Sequence, residues 1–318
     1  MKRKRDFKKN KKADMFQWMF ALIVGGIILF IALYATFKFV NTQSYSGGTL
    51  AAKEFEILLN PAETSYITEQ AAIVPMQKET QMVLSCDYTG IGSESIKFKQ
   101  LDNIGKKYKD FGQEIVFNNK YVFSQSTETG KNLYFFSKKL AVPWNFDLIF
   151  ANLQKYCFVD AHDSIKQEIQ LLNISNIKFV SNENNCLKGD IKVKFYLDCD
   201  YDCENTIEGR VVIGSNEKYV KGMGLALAAA FSSNGIYYCN LRRIAYRASL
   251  LAELYGKKAE LISQDGCFID TLKTELTNFK ILAQKVAKEQ EPENNFFSLL
   301  TKAAEIDDIN QDLVCRLW

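Results

Sequence analysis

The chain has 318 residues with 40 Lys and Arg against 37 Asp and Glu, a formal net charge of +3. Residues 1–14 hold eight bases (Lys2, Arg3, Lys4, Arg5, Lys8, Lys9, Lys11 and Lys12) and two acids, so they carry +6 and the remaining chain −3, which gives a nucleic-acid-binding surface no support. The single histidine, His162, excludes histidine-rich zinc sites and any design that needs a second imidazole base.

Behind the basic tail, residues 15–37 (MFQWMFALIVGGIILFIALYATF) run 23 residues without a charge. At ~1.5 Å per helical residue they reach about 34 Å, enough to cross a hydrocarbon core of about 30 Å. A transmembrane helix is therefore expected over residues 15–38. The positive-inside tendency keeps tail 1–14 in the cytoplasm, lying on anionic headgroups, and places the C-terminal mass outside. Trp18 and Tyr34 suit the two interfaces. The apolar region is too long for the core of a signal peptide, and no small-x-small site follows it before Lys38, so an uncleaved anchor is the first reading. Lys12-Ala13-Asp14-Met15 carries a second, because it resembles the cleavage site of archaeal class III (pilin-type) leader peptides. Processing after Ala13 would leave a pilin-like subunit assembled through its apolar helix. Ala21 and Gly25, four apart, allow close helix packing and hence a homo-oligomer through the span in either reading.

Residues 39–60 read as a neck and a short helix, Leu50 to Leu59, ended by Asn60-Pro61. From 61 to 235 a mixed α/β ectodomain is expected, of α+β or mixed class with a mixed sheet. Its first part is antiparallel, with strands at 81–86, 114–117, 121–124 and 132–136 separated by turn signals. Lys155 to Val159, Asp163 to Leu172 and Ile177 to Val180 then form a strand-helix-strand unit, which favours parallel pairing with a right-handed crossover. Ser164 and Gln167 fit a capping box at the start of that helix. Further strands follow at 191–197 and 210–213.

Beyond Gly222-Met223-Gly224 the chain turns helical, and residues 236–318 are expected to form a C-terminal helical region packed on the ectodomain. Leu225 to Phe231 (LALAAAF) is a small-residue helix. Leu241, Ile244, Ala245, Ala248, Leu251, Ala252 and Tyr255 mark one apolar face, and Arg242, Arg243 and Arg247 read as its solvated side or as a basic patch. Ile269, Leu272, Leu276, Phe279, Ala283 and Val286 form a narrow seam suited to another helix. Helices at 268–288 and 294–313 would make a hairpin of about 30 Å, which puts Cys267 and Cys315 at one end.

All eight cysteines (86, 157, 186, 199, 203, 239, 267 and 315) follow the span, on the oxidising side, so disulfides are expected. Cys267 with Cys315 and Cys199 with Cys203 are the pairs that spacing nominates; a buried free thiol at Cys157 is the alternative use of that residue. Asp198, Asp200 and Asp202 alternate like the first ligands of a calcium loop, although Cys203 and Gly209 stand where such a loop needs glycine and glutamate. Asp160, His162 and Asp163 fall at the C-terminal end of an expected parallel strand, where α/β sheets bind ligands; the plain alternative is that Asp163 caps the helix and His162 is a loop residue. No phosphate loop, nucleophile elbow or dinucleotide fingerprint occurs, and no cofactor is expected.

The segment Phe231-Ser232-Ser233-Asn234-Gly235-Ile236-Tyr237-Tyr238-Cys239-Asn240 to Arg243, together with Phe16-Gln17-Trp18, KYCFVD at 155–160 and NIKFV at 176–180, is similar to single-span membrane proteins of small-genome (DPANN-type) archaea. The resemblance covers most of the chain and implies a compartment and an architecture, with no activity to carry over. The residues therefore point to a membrane-anchored, outward-facing, non-enzymatic binding or envelope-structural protein whose partners are the bilayer and an envelope or surface molecule. The pilin-like subunit is one alternative. A membrane-tethered enzyme using Asp160, His162 and Asp163 is the other.

Overall fold

The computed structural model describes residues 19–20, 22–35, 71–101, 107–199, 202–264, 266–267 and 269–318, with the backbone alone at 111–113. It is a mixed α+β structure. The expected neck at 39–60, the Lys12 to Met15 border and Asp200 lie outside the described residues. The chain divides into two compact units, residues 1–47 and 48–318. In the first, residues 19–20 and 22–35 are helical (α1), and their side chains are exposed. Among the described residues no helix is long and apolar enough to cross a membrane.

The second unit holds two sheets. The first has six strands, β1 (Ala72–Asp87), β2 (Ser93–Leu101), β3 (Tyr108–Phe117), β4 (Tyr121–Phe123), β5 (Thr127–Val142) and β6 (Trp144–Asn152), ordered β3-β2-β1-β5-β6-β4. Its pairings are antiparallel except β4 with β6. Strands β5 and β6 bury both faces: Tyr134 and Phe136 join one core cluster while Leu133 and Phe135 join the other. Such strands read as continuous apolar runs, not as alternation, which is why β6 carries no period-two signal and β5 is far longer than 132–136.

The second sheet contains β7 (Tyr156–Val159), β8 (Ile177–Val180), β9 (Ile191–Asp198), β10 (Glu208–Ile213) and β11 (Asn216–Lys221), ordered β11-β10-β9-β7-β8. Strand β7 pairs in parallel with both β8 and β9, and α2 (Asp163–Leu171) makes the crossover to β8, burying Ile165 and Ile169. The short α3 (Cys203–Thr206) and then α4 (Met223–Phe231) follow, every residue of α4 being buried. The Phe231 ring at its end contacts Phe136, Phe150, Tyr156 and Phe158 at centroid distances of 5.0 to 5.8 Å.

Helices α5 (Asn234–Gln264), α6 (Asp270–Val286) and α7 (Glu293–Asp312) complete the unit. Pairs Glu253–Lys280 and Glu260–Lys273, each 2.9 Å, set α5 and α6 antiparallel, and Lys302–Glu275 at 2.5 Å links α7 to α6. The seam residues Leu272, Leu276, Phe279, Ala283 and Val286 are buried as their spacing requires. Four disulfides join Cys86 to Cys239, Cys157 to Cys186, Cys199 to Cys203 and Cys267 to Cys315, so Cys157 is bonded and no described cysteine is free. The Cys86–Cys239 link spans 153 residues and ties β1 to α5; on the chain-entropy account a loop of that length is worth about 5 kcal/mol.

Arg242 and Arg243 of α5 do not form a solvated face, while Arg247 is half-buried. Arg243 is fully buried and Arg242 is 9% exposed. The Arg243 guanidinium meets Glu94 at 2.9 Å and donates to the carbonyls of Lys120 (3.0 Å) and Asn118 (3.1 Å) and to the Asn240 side chain (2.8 Å). Gly92, at φ +69°, makes room for this side chain: a β-carbon there would stand 2.9 Å from the Arg243 Cγ. Removing one partner of a buried pair leaves the other charge uncompensated. Arg243→Met is therefore predicted to cost about 3–5 kcal/mol in urea unfolding with the disulfides intact, and adding Glu94→Gln to recover a large part of it. A single variant as stable as the parent would refute this role for the pair.

Candidate functional site

The parallel strands β7 and β8 end at a small cavity of about 350 Å³ lined by Asp160, Lys166, Phe179 and Ser181. Of the three residues nominated at this edge, only Asp160 lines it, from a left-handed backbone (φ +51°). His162 is the N-cap of α2, accepting the Ser164 amide on Nδ1 at 3.3 Å and meeting the Ser164 hydroxyl at 2.9 Å. The expected capping box at Ser164 and the expected cap at Asp163 are thus displaced by two positions and one. Asp163 lies on the surface beside Lys166 at 2.7 Å, which holds its carboxyl below the usual range. The imidazole has given one nitrogen to the cap, and the three side chains share no cavity.

The acidic turn is likewise occupied by its own backbone. Asp198 accepts from the Cys199 amide at 2.9 Å, and Asp202, left-handed at φ +42°, accepts from the Asn205 side chain at 3.0 Å. Among the described residues no group of three His, Cys, Asp or Glu could hold a metal. The Cys199–Cys203 disulfide closes the turn and fixes the start of α3.

That fixed segment borders a larger cleft of about 490 Å³. Its walls are the β5–β6 corner at Lys139 to Pro143, the α3 residues Glu204 and Asn205, the chain entering α4 at Lys221 and Gly222, and the middle of α7. Small side chains contribute to the room, Ala141 and Pro143 at the β5–β6 corner and Ala303 and Ala304 on α7 all lining it. Gly222, with φ +86°, turns the chain from β11 into α4 and leaves that helix without a side-chain cap. No sequence motif marks this site, because its residues come from four separate segments.

Buried acid-base groups lie outside both cavities. Burial pushes the Glu94 carboxyl up to about 7, against the pull of Arg243 and of hydrogen bonds from the Val122 amide and the Asn240 side chain. Burial also brings the Lys218 ammonium down to about 7, where its Nζ donates to the carbonyls of Ala229 (2.9 Å) and Ser232 (2.6 Å) at the end of α4. The Glu293 carboxyl near it is raised by the same burial and held by Tyr238.

No protein-family model matches the chain, and neither a curated protein nor a solved structure matches it.

These groups fix the direction of the pH dependence. Glu94 titrates higher folded than its ordinary 4.5, so its contribution is complete below pH 4.5 and is lost as pH rises through about 7. Lys218 titrates lower folded than its ordinary 10.5, so its contribution is complete above that pH and is lost as pH falls through about 7. Thermal stability is predicted to pass through a minimum near pH 7, with Glu94→Gln flattening the acid limb and Lys218→Met the alkaline limb. Melting curves across pH 5 to 9.5 in both variants check this; limbs that persist unchanged would disprove the assignments.

Proposed function

We propose that the chain is a membrane-anchored, outward-facing surface protein whose disulfide-supported α+β domain binds a partner or ligand and carries out no reaction on it. The observation that carries this reading is the complete pairing of the described cysteines, which fits a domain that folds on the oxidising side of a membrane. A helix whose described residues 22–35 are uncharged and exposed, behind a tail of +6, supports an anchor with a cytoplasmic N-terminus. The resemblance to single-span proteins of small-genome archaea points to the same compartment. A binding role is favoured over catalysis because the cleft bordered by α3, α4 and α7 has the volume of a ligand site, while His162 and Asp163 are committed to local structure.

Sidedness is the test. On intact cells, a membrane-impermeant maleimide applied after mild reduction is expected to label the protein, and external protease is expected to release a fragment containing all eight cysteines. Labelling only after lysis would overturn the outward orientation. The mature N-terminus separates anchor from fibre subunit: Met1 or Lys2 accords with an uncleaved anchor, whereas Asp14 establishes processing after Ala13 and the pilin-like alternative.

A further inference from the structure

The cleft beside α4 holds charges that the fold does not use. Of its ionic lining groups, Glu204 pairs with Lys138 at 3.1 Å, Lys139 has a partner of its own, and Asp307 accepts from Trp318 Nε1 (2.9 Å) and Gln311 Nε2 (2.8 Å). Lys221, at the end of β11, and Asp308, on α7, also line it, and among the described residues neither enters an ion pair. An ammonium and a carboxylate without ion pairs thus line one cleft of about 490 Å³, roughly 10 Å across if taken as a sphere, a span that one small molecule with two charged ends can bridge. The same cleft is also lined by the apolar side chains Leu140, Pro143, Leu300, Ala303 and Ala304.

We propose that this cleft binds a small zwitterion, a free amino acid or dipeptide with an apolar side chain, with its carboxylate on Lys221 and its ammonium on Asp308. The proposal rests on the binding reading above and names its ligand class. A purely anionic ligand would meet Lys221 but face Asp308, and a purely cationic one would meet Asp308 but face Lys221; only a molecule with both charges satisfies both residues. The carboxylate belongs at the Lys221 end because the first turn of α4 also lies there, capped by no side chain and with its glycines Gly222 and Gly224 in the cleft wall. The apolar strip takes a hydrophobic side chain and disfavours a charged one. The pinned α3 turn keeps Glu204 and Asn205 in place at the rim.

The experiment is a thermal-shift titration of the full chain, disulfides intact, with L-leucine and L-alanyl-L-leucine, each compared with its N-acetylated and C-amidated form. The zwitterions are expected to give a saturable rise in melting temperature in the millimolar range or below. Blocking either end is expected to weaken that response at least tenfold. Lys221→Met, Asp308→Asn and the cleft-filling Ala304→Trp are each expected to do the same without lowering the ligand-free melting temperature. Absence of a shift with both zwitterions would overturn the proposal, as would a response equal in parent and variants or one reproduced by acetate alone. The outcome is independent of membrane sidedness, so failure here leaves the surface-protein reading standing, and failure of that reading leaves the ligand result intact.

Discussion

The second unit depends on one buried ion pair and what it does for an unpaired strand edge. Strand β4 has a sheet partner only on its β6 side. Its outward amide and carbonyl at Val122 would be buried without partners, a cost that native structures almost never accept. Glu94 accepts the Val122 amide at 2.8 Å, and Asn240 donates to the Val122 carbonyl at 2.9 Å and to Glu94 at 2.9 Å. Two side chains, one from β2 and one from α5, thus take the place of a further strand. Arg243 compensates the carboxylate this arrangement buries and gathers the carbonyls just before β4 in the same fork. The pair is costly as pure energy, because desolvating two ions offsets most of their attraction. Its effect is positional: it ties one turn of α5 to β2 and to the chain entering β4, which sets the register seen between helix and sheet.

Everything C-terminal inherits that register. The Cys86–Cys239 bond sits one residue before Asn240, so the covalent link and the polar cluster fix the same turn of α5. From there α6 and α7 follow through antiparallel ion pairs and the Cys267–Cys315 bond, and Trp318 closes onto Trp144 and Tyr255 with ring distances of 5.5 and 5.2 Å. The cleft-lining Asp307 on α7 is held by the same closure, accepting from Trp318 Nε1 at 2.9 Å. Glu128 repeats the edge device elsewhere, accepting the Leu153 and Gln154 amides and the Tyr156 hydroxyl from within the core.

The parts of the fold legible in the sequence are those where one periodicity governs a whole element. The 3,4 spacing from Leu272 to Val286 places α6 and its buried face, and the polar turn between β7 and β8 leaves room for one helix and a parallel return. Strand β6 and the full length of β5 were not legible, since a strand buried on both faces has no polar phase to count. The arginines of α5 misled for a related reason. Charge in a helix signals solvent unless a partner exists, and the partner here is Glu94, nearly 150 positions away with no local mark of its own. His162 as a cap was hidden because serine and aspartate beside it are the stronger capping residues by type.

The segment from Phe231 to Arg243 shows how a distinctive sequence run and function come apart. Phe231 fills the aromatic centre, the Tyr237 hydroxyl reaches the Tyr219 carbonyl at 3.2 Å, Cys239 is bonded, and Asn240 and Arg243 close the strand edge. Each of these positions is occupied by the fold itself, so a pattern built from them describes an architecture and says nothing of a ligand. The cleft is the opposite case. Its walls include alanines, a proline, two glycines and the charges of Lys221 and Asp308, which enter no ion pair among the described residues; Gly222 is held to its identity by its positive φ, and Ala303 and Gly224 by their burial. The cleft residues form no motif, while the positions that stand out as a run in the sequence are held by the core.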